Sequence, residues 1–226
     1  MSKIKICGLT RLEDAIIVND GRPEYVGFIL TPSKRQVTVF QAATISRLLL
    51  PSIQRVGVFA KETAEEIAET ASLLDLDGIQ LHFDTTPEFL TELKKQISHF
   101  WFSHRPFLWQ RIPVPACAQP QKDLSARIAS FPDLTLFDGL LLDTCQDGRD
   151  GGTGKTFSWQ SAGDFVENIS PKGPDIIVAG GLTPENVADA VAFFEPYAVD
   201  VSSGVETGGI KDRDKVLRFI ENARKA

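Results

Sequence analysis

The sequence predicts a single (β/α)8 barrel, the α/β TIM-barrel fold in which eight parallel strands alternate with helices and close into a cylinder. Three observations point there. Eight short apolar runs recur from one end of the chain to the other. Segments with a helical period of about 3.6 residues lie between them. The length of 226 residues clears the roughly 200 residues that such a barrel needs and suits one domain, spanning residues 1–226.

The predicted strands are Lys3–Leu9, Tyr25–Leu30, Gln54–Phe59, Gly78–His82, Phe107–Val114, Gly139–Thr144, Asp175–Gly180 and Ala198–Ser203. Each is a short apolar run bounded by Gly, Pro or polar residues, the form of a strand covered on both faces of a parallel sheet. The fifth is the least regular. Residues 100–120 hold four prolines and a cluster of aromatics. Either Phe100–Ser103 or Phe107–Val114 fits there, and the second is the better strand.

The helical segments follow the same order. Thr10–Asn19 places Leu12, Ala15 and Ile16 on one face, and Thr63–Leu74 places Ile67, Ala71 and Leu74 together. Pro184–Phe194 aligns Val187, Ala190, Val191 and Phe194, and Asp212–Ala223 aligns Val216, Phe219 and Ile220. Thr63 with Glu66 reads as a capping box. Thr183 followed by Pro184 reads as an N-cap with proline at the first helical position.

Composition narrows the function classes. The chain carries 24 basic and 30 acidic residues, a net charge of −6, with no Lys/Arg-rich block. That argues against nucleic acid or a membrane surface as partner. No apolar stretch has the length of a signal-peptide core or a membrane span. Cys7, Cys117 and Cys145 are odd in number and widely spaced, which is neither a disulfide framework nor a zinc site. The expectation is a cytoplasmic protein with reduced thiols.

In a barrel of this kind the site forms at the carboxyl ends of the strands. The polar residues that end strands are few. Cys7 closes the first; a thiolate there is a potential base, and a buried thiol is equally plain packing. Asp143 closes the sixth, after Leu140–Leu141–Leu142. A carboxylate in that position reads as an acid, or as a cap or salt bridge. Arg35, after the second strand, suits a substrate carboxylate or stays a solvated cation. His82 reads as a hydrogen-bonding support. Three glycine-rich turns follow in the second half: Gly151–Gly152–Thr153–Gly154, Gly180–Gly181 and Ser203–Gly204. Backbone amides in such turns bind phosphate, often after strands seven and eight; otherwise they only make tight turns. Gly154–Lys155–Thr156 imitates a nucleotide P-loop, but Arg149 stands where that motif needs glycine. Asp143 and Asp147–Gly148 do not have calcium-loop spacing.

Together these segments form a recognisable set. Lys5–Ile6–Cys7–Gly8, Ser33–Lys34–Arg35, Val56–Gly57–Val58–Phe59, Gln80–Leu81–His82, Leu142–Asp143–Thr144, Gly151–Gly152–Thr153–Gly154–Lys155–Thr156, Gly180–Gly181–Leu182–Thr183–Pro184–Glu185–Asn186 and Asp200–Val201–Ser202–Ser203–Gly204 resemble, in order, the motifs of the phosphoribosylanthranilate isomerase family. The resemblance covers nearly the whole chain except about residues 84–138. It implies a TIM barrel that performs an Amadori rearrangement in tryptophan biosynthesis, without metal or organic cofactor. It implies Cys7 as general base, Asp143 as general acid and Arg35 on the anthranilate carboxylate. It implies a phosphate held at Gly154, Gly180, Gly181, Ser203 and Gly204, with His82 beside the substrate. The partner is then a phosphorylated small molecule, and the chain is a monomer or homodimer.

Three positions depart from the family pattern. Phe83 replaces the usual glycine after Gln-Leu-His. Trp109–Gln110–Arg111–Ile112 replaces a Lys-Ala type strand end. Ser158 precedes Trp159 where aspartate is usual. Related isomerases of histidine biosynthesis carry aspartate where Cys7 stands, and pentose-phosphate epimerases need metal-binding His and Asp residues on several strands, which three histidines, two of them in the irregular middle, do not suit. The alternative from another class is a diverged barrel that binds a phosphorylated ligand without turnover.

Overall fold

The computed structural model describes residues 1–115, 134–146, 149–150, 159 and 173–226. Its strands are β1 (Lys3–Cys7), β2 (Tyr25–Ile29), β3 (Gln54–Phe59), β4 (Gly78–Leu81), β5 (Phe107–Pro115), β6 (Gly139–Gln146), β7 (Asp175–Val178) and β8 (Ala198–Val201). Each pairs in parallel with its neighbours in chain order. β8 then pairs back onto β1, with Lys3 opposite Ala198 and Ile6 opposite Val201. That last ladder closes the barrel and leaves none of the eight strands as an open edge. A two-residue strand, Arg149–Asp150, adds antiparallel to the end of β6, and Glu206–Thr207 pairs with Ile210–Lys211 after β8.

Side chains on a strand alternate between faces, so closure sorts them into two cores. The outward set, including Ile4, Ile6, Val26, Phe28, Ile79 and Leu81, packs under the helices. The inward set forms a separate cluster of Tyr25, Val56, Trp109, Leu141, Ile177 and Ala198 inside the cylinder. Tyr25 meets Trp109 edge-on at 5.0 Å between ring centroids, which fills the lower half of the barrel.

All eight predicted strands are present, and the fifth is Phe107–Pro115 rather than Phe100–Ser103. Several end earlier than predicted, at Cys7, Leu81, Val178 and Val201. Gly8 (φ +79°) and Gly180 (φ +81°) turn the chain out of the extended region just beyond two of these ends. The polar residues that follow are thereby released into loops at the barrel mouth.

The described helices are α1 (Leu12–Gly21), α2 (Val39–Ser46), α3 (Ala64–Leu73), α4 (Pro87–His99), α5 (Val187–Phe194) and α6 (Arg213–Lys225). The capping box of α3 forms as predicted: Glu66 N donates to Thr63 Oγ1 at 3.3 Å, and Thr63 N to Glu66 Oε2 at 2.8 Å. α5 begins later than Thr183–Pro184 suggests. Asn186 Oδ1 accepts from Thr183 N at 2.8 Å, so these residues make a turn before the regular helix starts at Val187.

The face assigned to α1 needs correction. Leu12 and Ile16 are 45% and 58% exposed, while Asp14, Ala15, Ile17, Val18 and Gly21 are buried. Two contacts select that face. Asp14 Oδ2 caps the N–H groups of Thr10 and Arg11 at 2.9 and 3.1 Å. At the other end a side chain on Gly21 would fall 2.5 Å from Ile220 of α6, so that face is pressed against its neighbour.

Adjacent substitutions check this orientation. Ile17→Ala is expected to cost about 2–5 kcal/mol, whereas Ile16→Ala stays within about 0.5 kcal/mol. Chemical denaturation midpoints at unchanged m-value measure both; equal losses would refute the assignment.

Candidate active site

The carboxyl ends of the strands open into a cavity of about 580 Å³. Cys7 from β1, Arg35 after β2, His82 after β4 and Asp143 on β6 all line it. So do Gly180 and Gly181 after β7, and Ser203 and Gly204 after β8. The structure therefore brings together eight of the nine predicted site residues. The ninth, Gly154, lies outside the described residues, as do the rest of the 151–158 turn and Cys117; the side chain of Cys145 is likewise undescribed.

Cys7 is only 6% exposed. Its sulfur lies in the space a side chain on Gly27 would occupy, 2.6 Å from that Cβ, so β2 needs glycine opposite the thiol. One pleat below, Lys5 points inward from the same strand and is fully buried. Lys5 Nζ donates to Gln80 Oε1 at 2.9 Å and pairs with Asp200 Oδ1 at 3.1 Å. Burial works against the Lys5 charge, yet Asp200 and Cys7 outweigh it and hold the ammonium above its ordinary range. Burial likewise pushes the Cys7 thiol up, opposed by the positive charges of Lys5 and Lys211.

Asp143 is three strands from Cys7 one way around the barrel and five the other. Its Oδ2 stands 3.4 Å from Arg111 Nε on β5 and 3.8 Å from His82 Nε2. His82 Nδ1 lies 3.5 Å from Gln80 Nε2. Gln80 thus touches the surroundings of both groups, Lys5 on one side and His82 on the other.

Arg35 is held by two bonds. Its Nε and Nη2 donate to Glu206 Oε1 and Oε2 at 2.7 and 2.8 Å, and Glu206 Oε1 also accepts from Lys211 Nζ at 2.7 Å. Burial raises the Glu206 carboxyl, but these two cations overcome that and hold it below the usual carboxylate range. Arg35 is therefore no loosely solvated cation. The pair engages Nε and Nη2 of the guanidinium, and Nη1 makes no bond to Glu206.

The glycine turns are tightly specified. Gly180 and Gly181 have φ of +81° and +69°, a region that favours glycine. A Cβ on Gly204 would sit 1.8 Å from the carbonyl oxygen of Leu182. The turns after β7 and β8 thus lie backbone against backbone, an arrangement suited to an anion. Among the described residues no group of three or more His, Cys, Asp or Glu converges to hold a metal ion, and no helix is long and apolar enough to cross a membrane.

A sequence profile of the family described as N-(5'phosphoribosyl)anthranilate (PRA) isomerase matches residues 4–222. The chain belongs to this family. It is 41% identical over 226 residues to N-(5'-phosphoribosyl)anthranilate isomerase of Acetivibrio thermocellus, covering 100% of this chain and 97% of that one. It is 40% identical over 226 residues to the isomerase of Clostridium acetobutylicum, covering 100% and 99%. Among solved structures, phosphoribosyl anthranilate isomerase of Thermotoga maritima superposes with a TM-score of 0.79 at 34% identity, covering 100% of both chains. A phosphoribosyl anthranilate isomerase in complex with reduced 1-(o-carboxyphenylamino)-1-deoxyribulose 5-phosphate gives 0.76 at 32% identity, also covering 100% of both.

Sequence reasoning gave no role to four residues that shape this PRA isomerase site: Lys5, Asp200, Glu206 and Lys211. A signal was present for two of them. Lys5 and Asp200 stand at inward positions of strands read as wholly buried, where an ionised side chain needs a partner. Glu206 and Lys211 follow β8 in a short hairpin and carry no such mark.

Removing one half of the buried pair leaves the other uncompensated. Lys5→Met and Asp200→Leu are each expected to cost about 3–5 kcal/mol, and the double variant to recover much of that loss. Thermal or denaturant unfolding of the three variants tests this; additive losses would show that the two charges do not depend on each other.

Proposed function

We propose that the chain isomerises N-(5′-phosphoribosyl)anthranilate to 1-(2-carboxyphenylamino)-1-deoxyribulose 5-phosphate in tryptophan biosynthesis, with Cys7 as general base and Asp143 as general acid, acting in the cytoplasm without metal or organic cofactor. The observation that carries the reading is the joint placement of a thiol and a carboxylate in one cavity. Paired glycine turns and a guanidinium flank the two groups.

The chemistry follows from those groups. Asp143 delivers a proton to the furanose ring oxygen, the C1′–O bond breaks, and the anilino nitrogen becomes a protonated Schiff base. That cation acidifies the hydrogen on C2′. Cys7 removes it as thiolate, and the electron pair moves to give an enolamine. The enol proton is lost and C1′ gains one, which gives the ketone; atoms and charge balance without a co-reactant. Placing acid and base around the mouth rather than side by side lets each address its own part of the sugar. Gly180, Gly181, Ser203, Gly204 and, by family resemblance, Gly154 hold the phosphate. Arg35 takes the anthranilate carboxylate while Glu206 and Lys211 fix its orientation. His82 adjoins the sugar between Gln80 and Asp143.

Lys5 has a supporting part. A thiolate in an apolar pocket is costly, and a buried ammonium one pleat away offsets that cost. The net direction for the Cys7 thiol remains upward, because burial outweighs the two nearby ammonium groups.

Cys7→Ser and Asp143→Asn are each expected to lower kcat by at least about 10²-fold to 10⁴-fold. Both variants should bind the reduced product analogue within a few-fold of the parent. Complementation of a tryptophan auxotroph lacking this step gives the same answer in cells. A well-folded parent that fails to complement would favour a barrel that binds phosphorylated ligands without turnover.

A base with a raised pKa gains its active form as protons are withdrawn. Turnover also needs Asp143 protonated, and loss of that proton with rising pH offsets the gain in thiolate, so the thiol limb is read in Asp143→Asn: its residual kcat/KM should climb from about pH 6 to about pH 9, past the ordinary thiol value near 8.5. A residual rate flat over that range in Asp143→Asn would exclude Cys7 as a base titrating in the free enzyme.

A further inference from the structure

Phe83 is a large aromatic side chain in the wall of the cavity. It follows β4, and in a ring of eight strands β4 lies opposite β8, whose turn carries Ser203 and Gly204. β2, with Arg35 after it, stands midway between them. A ligand whose phosphate rests on the turns after β7 and β8 and whose carboxylate meets Arg35 therefore extends its remaining bulk toward Phe83.

The ring is held in place before any ligand arrives. Phe83 meets Phe89, in the first turn of α4, edge to face at 5.1 Å and 83°. Its backbone is fastened from below by Gln110, an outward-facing residue of β5 with no exposed surface. Gln110 Nε2 donates to the carbonyl oxygens of Phe83 at 2.8 Å and Arg111 at 2.9 Å, and Gln110 Oε1 accepts from the buried Thr85 hydroxyl at 2.9 Å. A fully buried amide with both ends engaged is a costly thing to disturb. The loop that carries Phe83 is thus a fixed wall rather than a movable flap.

We propose that Phe83 is a specificity residue, the surface on which the aromatic ring of an N-aryl sugar phosphate packs, and that Gln110 is the positioning residue that fixes it. This rests on the function proposed above and adds the means by which the ring is selected. Phe83 takes no part in proton transfer, so its contribution should appear in KM and ligand affinity rather than in kcat.

Two ligands separate ring from phosphate: reduced 1-(o-carboxyphenylamino)-1-deoxyribulose 5-phosphate, and ribulose 5-phosphate, which has no ring. Phe83→Ala should weaken the first about tenfold, the scale of one well-packed aromatic contact, and leave the second within about twofold. Phe83→Leu, which keeps an apolar contact with Phe89, should hold the melting temperature and still lose affinity for the ring-bearing ligand alone. Gln110→Ala should give the same selective loss in weaker form. In turnover, Phe83→Leu should raise KM with kcat nearly unchanged. Equal loss for both ligands, or no loss for either, would overturn the proposal. A parent protein that binds ribulose 5-phosphate as tightly as the ring-bearing ligand would instead sink the proposed substrate itself.

Discussion

A fully buried ammonium stands at the centre of this barrel. Lys5 has no contact with solvent, and its charge is tolerable only because Asp200 reaches it across the β1–β8 junction and Gln80 reaches it from β4. The carboxylate comes from the last strand and the lysine from the first, so the pair forms only when the cylinder closes. Closure in turn sets which residues face inward on every strand, because one ladder out of register would turn the whole inner set onto the outer face. The buried pair, the barrel and the placement of Cys7 above Lys5 are therefore one condition seen at three scales.

From that centre the site divides into regions with separate demands. The thiol needs a dry pocket with positive charge near it, and β1 supplies both. The carboxyl group at Asp143 stands among His82 and Arg111, on strands β4 to β6 and their ends. At the rim after β7 and β8, Gly204 lies against the backbone of Leu182, where a side chain would collide. Arg35, Glu206 and Lys211 link the loops after β2 and β8, so two segments distant in sequence, on either side of β1, share one chain of charges.

Much of this was legible in the sequence. Alternating apolar runs and helical segments specify a parallel α/β barrel because each strand buries both faces. Strand ends mark the mouth because the chain must turn there; Cys7 ends β1, Arg35 and His82 follow β2 and β4, and Asp143 lies in the last half of β6. What escaped was information carried by contact between distant segments. A period near 3.6 allows either stripe of α1; only the Asp14 cap and the proximity of Ile220 choose between them, and both depend on tertiary placement. The Arg35–Glu206 pair spans 171 residues and joins loops with no shared pattern. Gln110 reads as an awkward polar residue in a strand until the loop it fastens is in view. Cys7 and Asp143 were visible as candidates, yet the lysine that tempers the thiol was hidden in plain sight within a strand.

The floor of the barrel also works as a built-in optical label. Trp109 is 2% exposed and meets Tyr25 at 5.0 Å, while Trp101 is 71% exposed on the outer surface. The first indole emits from an apolar enclosure bounded by β2, β5 and β6, next to a tyrosine close enough to pass it excitation energy. The second emits from water and is open to collisional quenchers. A third indole, the half-buried Trp159 beside Phe193 and Phe194, adds emission of its own, so in a Trp159→Phe chain the light separates into a signal from the sealed cylinder and a signal from its surface. Loss of the blue, quencher-resistant part marks the moment at which the strands part, whatever happens at the mouth.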